Sequence, residues 1–178
     1  ARTFADSSSS LLARALGQKL FESFGQPFIV DNRGGAGGTI GAEIAVRATP
    51  DGYTICIVSA SYGANPALYK LPYDPVNGIA PISLLAVGPL IVVANPSLKA
   101  TNLKELIALA HARPDSINYG STGVGSLAHL VGALFDQMTG TRMVHVPYKG
   151  AGPGLIDLLA GNINLGYYTA VAVLPHVK

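Results

Sequence analysis

A glycine-rich loop between a strand and a helix constrains the fold of this chain more than any other feature. The segment Ile117–Tyr119 resembles the end of a strand, and from Ser126 to Met138 apolar residues recur at helical spacing. Between them, glycines alternate with small hydroxyl residues in the loop Gly120–Ser126. Because glycine has no Cβ, a loop of this kind lets the backbone approach a ligand closely.

The start of the helix after this loop is a candidate anion site. The first N–H groups of a helix have no acceptor within the helix, and the positive end of the helix dipole lies behind them. A carboxylate, phosphate or sulfate can bind at such a position. An ordinary strand-to-helix connection capped by Ser126 is the alternative, and this segment by itself does not decide between the two.

Composition narrows the class of protein. With 178 residues, 49% of them hydrophobic and 12% charged, the chain suits one large domain or two small lobes with a sizeable core. The net charge of +2 is scattered, so no nucleic-acid partner is expected. No apolar stretch is long enough to span a bilayer, and no signal peptide is recognisable after Ala1. The single cysteine, Cys56, lies in an apolar run and is expected to be a buried strand residue.

Strand and helix patterns alternate along the whole chain. Helical patterns occur at 11–24, within 34–48, and at 66–69, 102–113, 126–138, 153–160 and from 174 onward, and Thr101 is the candidate N-cap of the helix at 102–113. Strand patterns occur at 27–32, 53–58, 82–86, 90–94, 117–119, 143–146 and 163–168. This alternation favours a parallel, doubly wound α/β fold, in which ligands bind beyond the carboxyl ends of the strands. A change of composition at Pro89–Ser97 indicates two lobes, residues 1–95 and 96–178.

Three loops have a composition that suits anion binding: Ala5–Ser10, Ser59–Gly63 and Gly120–Ser126. Each of them offers backbone N–H groups and side-chain hydroxyls to a ligand. That combination fits the binding of a polar anion better than its chemical transformation.

The chain resembles a known family of receptors over nearly its whole length. The matching segments are LLARALGQKL, DNRGGAGGTIGAE, PDGYT, NPALY with LPYDP, NYGSTGVGSLAHL, VHVPYKGAGPGLIDLLAG and LPHVK. Their order and spacing are those of the substrate-binding receptors of tripartite tricarboxylate transporters, the Bug receptor family. The resemblance implies a two-lobed, periplasmic-binding-protein-like (type II) fold. It also implies a periplasmic, non-enzymatic receptor without a cofactor, whose hinge closes over a small carboxylate that it delivers to the membrane permease subunits.

Two departures from the family pattern affect the first lobe. Family receptors open with a strand and a Pro- and Gly-rich loop, whereas here the strand is expected to be absent and Phe4–Ser10 is rich in serine. Family receptors also continue beyond the LPHVK segment to complete the first lobe, so this lobe is expected to be incomplete. Missing strands would expose sheet edges and favour self-association. A truncated or diverged receptor-fold protein without ligand binding is therefore the alternative reading.

The candidate ligand-binding residues come from both lobes. In the first lobe they are Ser7, Ser8, Ser9, Ser10, Ser59 and Ser61, and in the second they are Gly120, Ser121, Thr122, Gly123, Ser126, His129, Tyr148 and Thr169. For the hydroxyls of the Gly120–Ser126 loop we favour ligand contact over simple turn chemistry. For His129 we favour a capping or packing role, in which the neutral ring hydrogen-bonds the loop, with ligand contact as the alternative. For the other side chains both roles stay open.

Two enzyme classes are the remaining alternatives. The Gly34–Gly41 loop resembles a dinucleotide fingerprint, but its spacing is GxGxxxG, and Ser59 follows the next strand where a ribose-binding acid is needed. We therefore interpret it as structural and keep a nucleotide-binding enzyme as a minor alternative. A hydrolase would need a GxSxG elbow, or an acid to orient a Ser126–His129 pair, and neither is evident. The other histidines show no zinc-site spacing, so no metal and no catalytic residue are expected.

Overall fold

The computed structural model describes residues 2–5 and 9–176, with side chains from Ser9 to His176. The chain divides into two compact units, Ala1–Ser83 and Leu84–Lys178, and each has its own sheet with helices packed on it. The α/β fold expected from the alternating pattern is therefore confirmed. The strand at 90–94 belongs to the second unit, whereas we expected the lobes to meet near residue 95.

The first unit is built on a three-stranded parallel sheet. Its strands are β1 (Arg2–Ala5), β2 (Ile29–Asn32) and β3 (Thr54–Ile57), in the spatial order β2-β1-β3. Its helices are α1 (Ser10–Phe24), α2 (Thr39–Val46) and α3 (Asn65–Leu68), with 3-10 turns at Ala36–Gly38 and Ala60–Gly63. Among the described side chains, Ala13 and Ile57 form a buried cluster, with Leu16 and Val30 partly buried against it.

The expectation that the first strand is absent is wrong. Strand β1 lies in the middle of the sheet and pairs in parallel with both neighbours, in registers that begin at Arg2↔Ile29 and Arg2↔Thr54. Four residues are too few to show a periodic apolar pattern in the sequence. Backbone pairing on both sides, which is invisible in the sequence, holds this strand in place.

The second unit is built on a four-stranded mixed sheet. Its strands are β4 (Leu90–Ala94), β5 (Asn118–Ser121), β6 (Val144–Pro147) and β7 (Leu165–Thr169), in the order β4-β7-β5-β6. Its helices are α4 (Leu103–Ala112), α5 (Leu127–Thr139), α6 (Ala151–Ala160) and α7 (Ala170–Val173), followed by a 3-10 turn at Leu174–His176. Strand β4 runs antiparallel to β7, so the sheet is not wholly parallel as expected.

Three smaller expectations for the second unit are also wrong. The segment Ile82–Ala86 is not a strand, because it is exposed and pairs with none of the described strands. The last helix begins at Ala170 rather than at Leu174. The cap of α4 is Asn102 rather than Thr101, since Asn102 Oδ1 accepts a hydrogen bond from the Glu105 N–H at 3.0 Å. Both residue types are good caps, so the sequence does not separate them.

The core of the second unit fixes helix α5 against the end of strand β5. Its two clusters contain the buried residues Leu106, Ala110, Ile117, Tyr119, Ala128, Met143, Leu165 and Tyr167, and Leu158, Ile163, Tyr168 and Val173. Helix α5 approaches β5 closely because Gly132 faces the ring of Tyr119, where a Cβ would overlap that ring. The amino end of α5 is thereby held next to the carboxyl end of β5.

Candidate ligand-binding site

The carboxyl ends of three strands meet at one edge of the second sheet. Strands β5, β6 and β7 are parallel, with Ser121 opposite Pro147 and Gly120 opposite Gly166. The loop Gly120–Ser126 leaves β5 at this edge, and Thr169 ends β7 on the same side. The sequence-predicted residues of the second lobe are therefore brought to one edge of the sheet.

The two serine hydroxyls of this loop make hydrogen bonds that shape its turn and cap the helix. Ser121 Oγ accepts a hydrogen bond from the Gly123 N–H at 3.1 Å, and the Ser126 N–H donates to the Gly123 carbonyl at 3.2 Å. Ser126 is the N-cap of α5, with its Oγ accepting a long bond of 3.4 Å from the His129 N–H. These bonds give Ser121 and Ser126 the turn and cap roles that we had placed second to ligand contact. Ligand contact by these residues stays a prediction.

Unpaired donors remain at the start of α5. The N–H groups of Leu127 and Ala128 open this helix of 13 residues and have no acceptor within it. The half-buried Thr122 adds a hydroxyl to the same loop. No lysine or arginine lies between Gly120 and Ser126. An anion at this position would be bound by backbone N–H groups and the helix dipole rather than by an ion pair.

His129 hydrogen-bonds the loop through its ring, which confirms the structural role expected for it. The Gly125 N–H donates to His129 Nδ1 at 3.2 Å. A backbone N–H can only donate, so Nδ1 carries no proton and the ring is neutral with its proton on Nε2. Burial lowers the pKa of His129. Direct contact with a ligand stays a prediction for this residue.

His145 is a residue of the site that the sequence did not indicate. Its ring stacks on that of His129, with centroids 4.1 Å apart and planes at 24°, and its Nε2 lies 2.6 Å from Ser121 Oγ. Burial, together with repulsion from His129, lowers the pKa of His145 to about 4. His145 could have been found only from the register of β5 with β6, which places it opposite Tyr119. That register cannot be derived from one sequence.

The Ser121–His145 distance is that of a nucleophile and its base, but the pair is a poor catalyst. Ser121 is only 3% exposed and is tied to Gly123. A histidine with a pKa of about 4 is a weak base at neutral pH. Hydrogen bonding that shapes the loop explains the contact better than hydrolysis does.

Tyr148 is attached to the loop and to helix α6. Its N–H donates to the Ser121 carbonyl at 3.0 Å, and its hydroxyl donates to Asp157 Oδ2 at 2.7 Å. Burial and the Asp157 carboxylate raise the pKa of Tyr148 to about 12. The hydroxyl therefore has a structural partner already, and the backbone of Tyr148 supports the end of β5.

The first unit holds the other predicted residues. Ser7 and Ser8 lie outside the described residues, Ser9 is the N-cap of α1, and Ser10 is the first residue of α1. Ser59 and Ser61 bond each other through their hydroxyls at 2.7 Å. Ser61 is 1% exposed and donates to the Gly37 carbonyl at 3.3 Å. Burial of Ser61 indicates a structural role for this hydroxyl.

The Gly34–Gly41 loop is held from inside the first unit. Its Gly37 carbonyl accepts hydrogen bonds from Ser61 and from Asn65 Nδ2, the latter at 3.1 Å, and Asn65 is fully buried. The cavity next to it has a volume of about 10 Å³, which is room for about one water molecule. These contacts support the structural interpretation of the loop.

Neither a metal-binding cluster nor a membrane-spanning helix occurs in the described part of the chain. Residues 2–5 and 9–176 contain no group of three or more His, Cys, Asp or Glu side chains arranged to hold a metal ion. Within the same residues, no helix combines the length and apolar character needed to cross a membrane.

Comparisons with known proteins identify the family. Residues 12–178 match the family described as the tripartite tricarboxylate transporter family receptor. Protein BugT of Bordetella pertussis is 38% identical over 174 residues, which is 96% of this chain and 53% of BugT. The chain thus spans about half the length of the curated relatives it matches.

Solved structures agree with this assignment. The R. palustris protein Rpa4515, solved with adipate, is 35% identical with a TM-score of 0.90, over 98% of this chain and 61% of that protein. MatC of Rhodopseudomonas palustris, solved with bound malate, is 26% identical with a TM-score of 0.86, over 98% of this chain and 62% of MatC. With its fold, its family match and these relatives taken together, the chain belongs to the tripartite tricarboxylate transporter receptor family.

Proposed function

We propose that this chain is the ligand-binding part of a periplasmic solute receptor, which binds a small carboxylate and delivers it to the permease subunits of a tripartite tricarboxylate transporter. The observation that carries the proposal is the start of α5, where the Leu127 and Ala128 N–H groups are open and the preceding loop has no charged side chain. Relatives solved with adipate and malate support a carboxylate as the ligand class.

The second unit is the main ligand-binding half in this proposal. We place Gly120, Thr122, Gly123 and the first turn of α5 around the carboxylate, with Thr169 at the same sheet edge. Ser121, Ser126, His129 and Tyr148 hold the loop through the bonds described above. Hinge closure of the two lobes, a contribution from Ser7–Ser10, and a periplasmic location rest on the family and stay predictions.

A thermal-shift screen of the purified chain tests the proposal. The probes are mono-, di- and tricarboxylates, acidic amino acids and aromatic acids, with NAD as a control. A ligand at a hundred times its Kd stabilises the native state by about 2.7 kcal/mol, so a competent site gives a clear rise in Tm. A shift confined to one class of acid supports the receptor. No shift with any acid favours the receptor-fold protein without binding, and a shift with NAD alone favours the nucleotide alternative.

A pair of glycine variants links a shift to the loop. Gly123 has φ +129°, which an alanine adopts only with strain, so Gly123→Ala should deform the loop and abolish the ligand-induced shift. Gly140 ends the same helix with φ +69°, so Gly140→Ala is also a strained substitution, though a milder one, at the other end of α5. It should lower stability and keep the shift. Equal responses of the two variants would contradict the proposed site.

Self-association is a separate prediction. It was based partly on a missing first strand, and β1 is present, so that part of the argument no longer holds. The strands with one described neighbour in each sheet are β2, β3, β4 and β6, and these edges are where pairing with a second copy would occur. Sedimentation equilibrium decides the question, since a clean monomer excludes it.

A further inference from the structure

His129 and His145 form a stacked pair, and His129 accepts a hydrogen bond from the loop Gly120–Ser126. We propose that His129 is a positioning residue for carboxylate binding: its uncharged ring holds the Gly125 N–H and stacks on His145. The inference rests on the proposed function of the Gly120–Ser126 loop and adds to it a direction for the effect of acid.

Geometry at His129 requires a neutral ring. The Gly125 N–H and His129 Nδ1 are 3.2 Å apart, and the nitrogen must supply the lone pair. A proton on Nδ1 would place two donors face to face, so the bond must break and Gly125 must move away. Gly125 directly precedes Ser126, the N-cap of α5, and the cap and the first helical N–H groups move with it.

The surroundings of the pair disfavour a charge on either ring. The ring centroid of His145 lies 4.1 Å from that of His129 and 5.1 Å from that of Tyr119 of β5. Tyr167 of β7 meets Tyr119 edge-on. Asp136 of α5 accepts hydrogen bonds from the Thr141 hydroxyl and the Met143 N–H. Burial is the main cause that raises the pKa of the two tyrosines, and the Asp136 carboxylate adds to it. Burial lowers the pKa of both histidines, and His129 lowers that of His145 further.

This role and direct ligand contact predict opposite effects of acid. A histidine that touches the carboxylate becomes a cation on protonation, so it would strengthen binding as the pH falls. A positioning histidine releases the loop on protonation, so it weakens binding. Because only the neutral fraction is competent, the apparent Kd rises about tenfold for each pH unit below the His129 pKa.

The experiment measures the Kd of malate and of adipate for the full chain by calorimetry. Titrations run from about pH 8 to about pH 5.5, and the His129→Asn titrations correct for the carboxyl groups of the ligand, which begin to take up protons at the acid end. His129→Asn keeps an acceptor near the position of Nδ1 and cannot titrate, so the change of Kd with pH should be smaller in this variant than in the native chain by the His129 contribution. His129→Leu removes the acceptor and should weaken binding at every pH. His111→Gln, at an exposed histidine of α4, is the matched control and should keep the native profile.

A second readout separates this inference from the function. Nitrogen-15 NMR of the free chain reports the His129 tautomer and the Gly125 amide without any ligand. We expect Nδ1 to be unprotonated at neutral pH, and the Gly125 amide resonance to shift together with the His129 titration. If no carboxylate binds at about pH 8, the proposed function fails while the NMR result still decides the positioning role. Binding that strengthens with acid, or a Gly125 amide that ignores the titration, overturns the inference.

Discussion

Each unit carries a glycine-rich loop that leads from a parallel strand into a helix, and the two loops are held in different ways. In the first unit, the Gly37 carbonyl is fixed by Ser61 and by the fully buried Asn65. In the second unit, the loop is fixed by His129 on the following helix and by Ser121, which contacts His145. The first loop is thus anchored by the interior of its unit, and the second by side chains around a helix start with open N–H groups.

The comparison shows that a glycine-rich loop before a helix is not by itself a ligand site. Both loops have the composition of an anion-binding loop, and the one at Gly34–Gly41 even resembles a nucleotide fingerprint. What differs is the helix that follows. Helix α2 has 8 residues, whereas α5 has 13 residues, a serine N-cap and a histidine that reaches back to the loop. In the proposed function, the supporting bonds and the open helix start, rather than the glycines, distinguish the second loop from the first.

The largest expected effect concerns the two cores. Leu165 is fully buried among the eight buried residues of the larger cluster, whereas Ile57 is 7% exposed and, among the described side chains, forms its cluster with Ala13. Leu165→Ala should lower the free energy of unfolding by about 4 kcal/mol and Ile57→Ala by about 2 kcal/mol, within the range for core truncation. Urea denaturation followed by circular dichroism measures both. Equal losses would remove the contrast between the cores.

The next effect tests the anchor of the first loop. Asn65→Ala removes one of the two donors to the Gly37 carbonyl and truncates a fully buried side chain, which should cost about 1–3 kcal/mol. Because the loop is structural, the affinity for carboxylates should not change. Urea denaturation and a ligand titration are the measurements, and Asn77→Ala, at an exposed asparagine of the same unit, is the control. If Asn65→Ala lost affinity for carboxylates while its free energy of unfolding stayed unchanged, the Gly34–Gly41 loop would again be a candidate ligand site.

The sequence predicted individual secondary-structure elements better than it predicted which strands and side chains contact each other. Helices α1, α4, α5 and α6 were expected within a few residues of their observed bounds, because apolar spacing and capping are local signals. Strand β1 was missed, and the segment 82–86 was mistaken for a strand, because strand pairing is not local. For the same reason His145 went unnoticed, since only the register of β5 and β6 brings it to Ser121 and His129.

A smaller effect concerns pH and should be confined to the second unit. The pKa of His145 is lowered from 6.5 to about 4 in the folded chain, so below pH 6.5 the unfolded chain binds more protons than the folded one. Stability is fully present above that pH and is lost as the pH falls toward about 4. With solvent partly reaching the rings, we expect a loss of about 1–2 kcal/mol.

Denaturation curves between these two pH values measure that loss. His145→Gln should flatten the dependence, whereas His111→Gln should leave it unchanged. Carboxylates whose pKa is lowered, such as Glu105 and Asp157, lose their stabilising effect only as the pH falls below their ordinary pKa of about 4, at the acid end of the window, and the His145→Gln variant keeps this contribution. A native-like slope in the His145→Gln variant would show that another group is responsible.

The smallest expected effect comes from a comparison of the N-cap of α5, next to the proposed ligand site, with the N-cap of α4. Ser126 caps α5 and Asn102 caps α4, and both accept a backbone N–H three residues on. Ser126→Ala and Asn102→Ala should each cost about 1 kcal/mol of stability, because each leaves the first turn without its acceptor. Only Ser126→Ala should also weaken carboxylate binding, since its helix start is the proposed anion site. If calorimetry shows the same affinity in both variants, the open N–H groups of α5 are not the ligand's donors, and the distinction between the two glycine loops loses its functional meaning.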